Sequence, residues 1–149
     1  MFSFTPSAGS RKQCLELLFR CAREEVYGVT AIEAINEVTH RLMLAEALAT
    51  GVIRRARAQD LRGKTEAIRR LGQYWAHVDK IFNLNILILK SDEHRLHRAH
   101  AMRSRHGLLT NDSLILAAMN EYGIGCLATR DGDFDDVAQL TVYLYLIHI

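Results

Sequence analysis

The sequence has little proline, few cysteines and no long apolar run. One proline occurs in 149 residues, and the composition is 49% hydrophobic and 24% charged, which favours an ordered globular chain over disorder. The cysteines Cys14, Cys21 and Cys126 form no CxxC pair, and their odd number in apolar surroundings predicts reduced, buried thiols and a cytoplasmic location. No segment approaches the roughly 20 apolar residues of a membrane span, so we expect no membrane partner.

Glycine-rich phosphate motifs are missing as well. No GxGxxG or GxxxxGK[ST] follows a predicted strand, which disfavours a Rossmann-type nucleotide binder. The formal net charge of +2 does not identify a nucleic-acid binder, but the basic residues are unevenly placed. Seven Lys or Arg residues lie between Arg54 and Arg70, and four further arginines lie between Arg95 and Arg105. These segments are either solvated helix faces or phosphate-facing surface, and the sequence leaves both open.

The spacing of apolar residues predicts helices that alternate with short strands. Helices are predicted at Ser10–Arg23, after a Thr30 cap through Ala45, at Lys64–Phe82 and Asp92–Arg105, and from a Thr110 cap to Tyr122. Strands are predicted at Val26–Val29, Ile86–Leu89 and Cys126–Thr129, and within Leu140–Ile149. Strands separated by long helices pair in parallel through crossovers. We therefore expect one domain over residues 1–149, an α/β fold built as a three-layer α/β/α sandwich with a parallel sheet.

Carboxylates occur where such a fold places its functional crevice, beyond the carboxyl ends of the strands. Asp112 lies in the first turn of a predicted helix, and Asp131 and Asp133 follow the strand that ends near Thr129. Each has an ordinary explanation, since a helix dipole stabilises a first-turn acid and turns favour aspartate. Glu37 equally fits a solvated ladder at four-residue spacing. The joint placement of these acids at one mouth of the sheet favours a functional cluster.

The acids lie in three segments whose order and spacing are informative. The segments are NEVTHRLM at residues 36–43, GLLTNDSLI at 107–115 and ATRDGDF at 128–134. In that order they resemble the glutamate motif and the third and fourth acidic motifs of PIN-domain proteins of the VapC toxin type. The resemblance runs from about Ser10 to Tyr143, and the last two motifs together are its most specific part.

This resemblance implies a metal-dependent endoribonuclease, the toxin of a toxin–antitoxin pair, acting on RNA as a homodimer with an antitoxin protein as partner. It assigns Mg²⁺ or Mn²⁺ to Glu37, Asp112 and Asp131, and a supporting or second-metal role to Asp133. Thr110, Asn111 and Thr129 are expected to support these acids. Mg²⁺ prefers oxygen ligands and retains several waters, so convergent carboxylates suit it.

The N-terminus departs from the family pattern, which opens with an apolar strand ending in Asp-x-Asn. The first acidic residue here is Glu16, inside a predicted helix, so no residue matches the first acid. Phe2 and Phe4 resemble the residues that come after that motif in the family, and we expect the sequence to begin inside the natural domain and to lack its first central strand. We predict weak or no nuclease activity. The alternative function is an impaired PIN-like scaffold that binds an antitoxin or RNA without cleaving it.

Histidines and the single tryptophan allow two further interpretations. His94, His97 and His100 recur at spacing three, but successive steps of three rotate around a helix and no His-x3-His pair accompanies them, which disfavours zinc. Trp75 lies on an apolar helical stripe and is interpreted as a core residue rather than as a base-stacking platform.

Overall fold

Helices and short strands alternate along the computed structural model, which describes residues 8–129 and 131–143, with residues 8–11 described by their backbone alone. The helices are α1 (Ala8–Ala22), α2 (Ile32–Ala49), α3 (Ala58–Leu61), α4 (Thr65–Arg70), α5 (Gln73–Ile81), α6 (Glu93–His106) and α7 (Thr110–Tyr122). The strands are β1 (Gly28–Ala31), β2 (Ile86–Leu89), β3 (Cys126–Ala128) and β4 (Thr141–Tyr143), and a 3₁₀ turn spans Gly132–Phe134.

The strands form two parallel pairs. Strand β1 pairs with β2 from Gly28↔Ile86 to Ala31↔Leu89, and β3 pairs with β4 from Cys126↔Thr141 to Ala128↔Tyr143. The predicted parallel α/β architecture is confirmed. Within the described residues, the two pairs are not hydrogen-bonded to each other, so they do not form one continuous sheet. The part of the predicted fourth strand from residue 144 to 149 lies outside the described residues.

Strand β1 begins at Gly28, two residues later than predicted, where its pairing with β2 starts and where α1 lies close to it. A Cβ atom at Gly28 would lie 2.8 Å from Cys21 Sγ and 3.0 Å from Ile86 Cγ1, so a side chain would force this contact apart. The strand then continues through Thr30, which pairs with Ile88. The predicted cap at Thr30 is therefore wrong, and the N-cap position of α2 belongs to Ala31, with no side-chain hydrogen bond.

Helices α6 and α7 end where the sequence predicts. Asp92 caps α6 by accepting a hydrogen bond from the Arg95 backbone N–H at 2.9 Å. Gly107 and Gly123 close α6 and α7 with φ of 69° and 65°, values that favour glycine. The predicted Thr110 cap is wrong, since Leu109 occupies the N-cap of α7 in extended backbone and Thr110 is the first helical residue.

The single helix predicted over Lys64–Phe82 is broken into α4 and α5 by a distant carboxylate. Glu46 of α2 accepts hydrogen bonds from the backbone N–H groups of Gly72 at 2.9 Å, Gln73 at 3.1 Å and Tyr74 at 2.7 Å. These donors are the ones that the first turn of α5 leaves without a helical partner. Glu46 thus joins the C-terminal half of α2 to the start of α5.

The apolar stripe predicted for α5 is buried only in part. Val78 is fully buried, whereas Trp75 is 53% exposed and contacts Phe82 through tilted rings 6.4 Å apart. The predicted core position of Trp75 is wrong: Trp75 and Val78 belong to the same helix, and only Val78 is covered by other parts of the chain. The three thiols are free as predicted, but only Cys21 is buried; Cys14 and Cys126 are exposed.

Two larger apolar clusters hold the elements together. One joins the end of α2 to the following segment through Leu44, Ala47, Ile53 and Leu61. The other joins α7 to the chain after β3 through Leu108, Leu116, Phe134 and Val137. None of the helices in the described ranges is both long and apolar enough to cross a membrane.

Candidate metal centre

Three aspartates from two separate segments converge at one point of the fold. Asp112, Asp131 and Asp133 each offer a carboxylate oxygen, and these oxygens lie within 4.8 Å of one another. Asp112 is half-buried and the other two are exposed. The spacing of these oxygens allows a single cation to reach all three carboxylates.

Helix α7 holds Asp112 through the buried residues next to it. Ser113 is 0% exposed, and its hydroxyl donates a 2.7 Å hydrogen bond to the Thr110 carbonyl inside the first turn. Leu114 is buried as well. Asp112 therefore lies on the first turn of α7, which the buried residues Ser113 and Leu114 anchor in the core. Ser113 received no role in the sequence analysis, although its place beside Asp112 in the GLLTNDSLI segment was the available signal.

The turn after β3 positions the other two aspartates. Thr129 Oγ1 accepts a hydrogen bond from the Asp131 backbone N–H at 3.0 Å, and Asp131 Oδ1 accepts one from the Asp133 backbone N–H at 3.1 Å. Phe134 is 2% exposed and packs in the apolar cluster with Leu116. Side-chain oxygens thus hold the backbone N–H groups of both acids, and Asp131 keeps its second carboxylate oxygen outside this hydrogen bond.

The electrostatics of the cluster are unfavourable without a cation. Desolvation raises the pKa of the Asp112 carboxyl above its ordinary value, and repulsion by Asp131, Asp133 and Glu37 raises it further. A divalent cation would reverse this effect, because it places positive charge among the repelling groups.

Glu37 lies near this cluster without being part of its tight group. It is exposed on α2 and forms an ion pair with Arg41 one turn later, while its charge contributes to the raised pKa of Asp112. The three carboxylates that share one point are thus Asp112, Asp131 and Asp133. The metal-binding role of Glu37 and the supporting role of Asp133 both stay predictions.

The remaining candidates differ in their contacts. Thr129 holds the backbone of Asp131, and Thr110 supplies the carbonyl that accepts from Ser113. Asn111 is exposed at the start of α7. The metal-compatible group found among the described residues consists of aspartates and contains none of the histidines of α6.

The parallel strands, the helices that connect them and the cluster of three aspartates define an α/β protein with a candidate metal-binding site. A family model of the PIN domain matches residues 15–140, most of the chain, and the protein belongs to the PIN-domain family.

A curated relative is similar over part of the chain. It is the protein named Ribonuclease VapC6 from Methanocaldococcus jannaschii, 34% identical over 85 residues that cover 52% of this chain and 56% of the relative. The match thus spans little more than half the length of that relative. No solved structure matches the chain significantly.

Proposed function

We propose that the protein is a divalent-metal-dependent endoribonuclease of the VapC type, which hydrolyses RNA phosphodiester bonds. The observation that carries this proposal is the convergence of Asp112, Asp131 and Asp133 within 4.8 Å. Membership of the PIN-domain family and the similarity to a protein named as a ribonuclease support the same activity.

The chemistry of the cluster suits a hard cation. Its donors are carboxylate oxygens, which Mg²⁺ and Mn²⁺ prefer, and they leave room for coordinated water. Asp112, Asp131 and Asp133 would hold the ion, and Glu37 would add a fourth carboxylate directly or through water. When bound, such an ion supplies an acidified water as nucleophile and offsets charge on the phosphate.

The protein's own groups prepare this site in two ways. The Thr129 hydroxyl and the Asp131 carboxylate order the turn, so the carboxylates are held close together before an ion binds. The ion pair between Glu37 and Arg41 also places a guanidinium beside the acidic cluster. A guanidinium in this place is suited to a phosphate oxygen of a bound RNA.

The partner, the oligomeric state and the cellular location of the protein are proposals as well. We propose that the protein is a toxin whose partner is an antitoxin protein, that it acts as a homodimer, and that it works in the cytoplasm. The name of the relative supports the toxin–antitoxin setting.

Metal binding and RNA cleavage can be tested separately. Calorimetric titration with Mn²⁺ should show saturable binding, and any cleavage of a fluorophore-quencher RNA, expected to be weak because no residue matches the first acid of the family pattern, should require Mn²⁺ and stop in EDTA. Asp112→Asn should lose both, whereas Asp136→Asn, which removes an exposed acid after the turn that carries Asp131 and Asp133 and outside the cluster, should retain both.

The outcomes separate the candidate functions. Saturable Mn²⁺ binding without cleavage of the RNA would contradict the nuclease activity, whereas the impaired scaffold that binds RNA or an antitoxin predicts no saturable Mn²⁺ binding. Absence of saturable Mn²⁺ binding in a folded protein would overturn the metal-centre proposal itself.

A further inference from the structure

The segment from Arg54 to Arg70, called here the arginine segment, carries positive charge that the described structure leaves unneutralised. Arg69 is paired with Glu66, and Lys64 donates a hydrogen bond to the Val52 carbonyl. Five other arginines have no ion pair with any acid of the described residues and are exposed: Arg54, Arg55, Arg57, Arg62 and Arg70. Elsewhere in the described chain Arg20, Arg23, Arg41, Arg95 and Arg98 form ion pairs with acids, whereas Arg103 and Arg105 form none.

These arginines are displayed by an ordered scaffold. Ile53 and Leu61 are 3% and 5% exposed and pack against Leu44 and Ala47 of α2. Backbone hydrogen bonds from Arg57 to the Arg55 carbonyl at 2.8 Å and from Arg62 to the Ala58 carbonyl at 3.0 Å shape the chain between them. Because the inner residues are held in the core, the guanidinium groups are presented outward on fixed backbone.

An uncompensated group of like charges destabilises a fold, since neighbouring guanidinium groups repel one another. A partner that carries negative charge at regular intervals removes this repulsion. Guanidinium groups match phosphate oxygens with paired N–H donors, so a phosphodiester backbone meets the requirement.

The same surface lacks what a protein interface would need. No large apolar side chain between Arg54 and Arg70 is exposed, and the next exposed ones along the chain are Leu48 before the segment and Trp75 after it. Protein interfaces concentrate aromatic and apolar residues at their centre, and the base-stacking platforms of single-strand-binding proteins are mostly exposed aromatic rings. The chemistry of the arginine segment therefore favours contact with the backbone of a nucleic acid.

We propose that the arginine segment is a sequence-independent binding surface for the phosphate backbone of the RNA substrate, outside the metal centre. The inference rests on the proposed ribonuclease function. Helix α2 connects the two regions: Ala47, which anchors the segment, follows Glu37 by ten residues, or about 15 Å along the helix axis. One RNA strand of several nucleotides would contact both the segment and the acidic cluster.

The test measures binding of a fluorescein-labelled single-stranded RNA by anisotropy at several salt concentrations in EDTA. Because no cleavage occurs and no metal is needed, its outcome does not depend on whether the acidic cluster binds an ion. Each phosphate contact contributes about 0.7 to the slope of log K against log salt for a single strand. Arg54→Gln combined with Arg55→Gln should lower that slope by about 1.4 and weaken binding at least several-fold.

A matched control changes the same charge elsewhere. Arg20→Gln combined with Arg23→Gln removes two arginines that are already paired with Glu25, and it should leave the slope within about 0.5 of the parent value. A second pair in the segment, Arg57→Gln with Arg70→Gln, guards against a local folding defect, and circular dichroism checks each variant.

Three results would contradict the proposal. Equal losses in the segment and control variants would show that net charge alone drives binding. An unchanged slope in both segment variants would remove the segment from the RNA surface. An unchanged RNA slope with lost binding of a poly-glutamate peptide would assign the segment to an acidic protein partner instead.

Discussion

Replacing Asp112 by asparagine should stabilise the metal-free protein and abolish its stabilisation by Mn²⁺. The carboxylate oxygens of Asp112, Asp131 and Asp133 lie within 4.8 Å of one another. At that separation two unit charges repel by about 3.5 kcal/mol at an effective dielectric constant of 20 and by about 0.9 kcal/mol at 80. Asp131 and Asp133 are exposed, so solvent screening favours the lower figure, and we expect a gain of about 1 kcal/mol.

This gain should depend on pH in a defined direction. Desolvation, followed by repulsion from Asp131, Asp133 and Glu37, raises the folded-state pKa of Asp112 above its unfolded value. An acid whose pKa is raised in the folded state lowers the free energy of unfolding by its full amount at pH values above that raised pKa. This loss of stability disappears as the pH falls below the pKa of the unfolded state, because the acid is then protonated in both states. The difference between Asp112→Asn and the parent protein should therefore be largest near pH 7 and vanish near pH 3.

Thermal unfolding with and without metal measures both effects. A change of about 1 kcal/mol shifts the Tm of a domain of this size by about 2–4 °C, so Asp112→Asn should melt that much higher in EDTA. Mn²⁺ at 100 times its Kd stabilises the parent by about 2.7 kcal/mol, a rise of about 5–10 °C that the variant should lack. If Asp112→Asn melts lower in EDTA and still responds to Mn²⁺, the electrostatic reasoning is refuted.

Three further predictions concern other parts of the structure. Arg41→Gln, which frees Glu37 from its ion pair, should tighten Mn²⁺ binding in a calorimetric titration, and weaker binding would contradict the competition between cation and guanidinium. Glu121→Gln leaves the buried guanidinium of Arg95, which is 3% exposed, without its carboxylate partner. The unfolding free energy measured in urea should fall by about 3 kcal/mol. A loss below about 1 kcal/mol would show that the ion pair contributes little to stability. Desolvation opposes ionisation of Glu46, but three backbone N–H donors and the charge of His77 outweigh it and lower its pKa. The stability that Glu46 contributes should therefore be present above its ordinary pKa and lost as the pH falls through the lowered pKa. In parallel urea titrations, Glu46→Gln should destabilise the protein at pH 7 and destabilise it less at pH 3. Equal losses at the two pH values would refute this.

Several elements could be read from local sequence because their signals are local. The bounds of β2 match the apolar run Ile86–Leu89, and the ends of α6 and α7 follow from Asp92, Gly107 and Gly123. A cap or a left-handed glycine acts on the residues next to it, so tertiary packing had little to change at these positions.

Other predictions failed where a distant group competed with the local signal. The Glu46 carboxylate binds the amides of residues 72–74, where the predicted helix divides into α4 and α5. Thr30 remains in β1 because pairing with Ile88 extends the strand past the expected cap. Neither partner lies within the sequence window on which a local prediction depends.

Local sequence patterns were enough to predict the kinds of element, the parallel pairing and the order of the acidic motifs that contain Glu37, Asp112 and Asp131. The tertiary structure alone decided that Asp112 meets Asp131 and Asp133 within 4.8 Å while Glu37 stands beside them in an ion pair. The physical reason is the separation along the chain between the groups that interact. Hydrogen bonds and periodicity act between near neighbours in the chain, whereas the repulsion that prepares the cluster for a cation exists only once α7 and the turn after β3 are packed together.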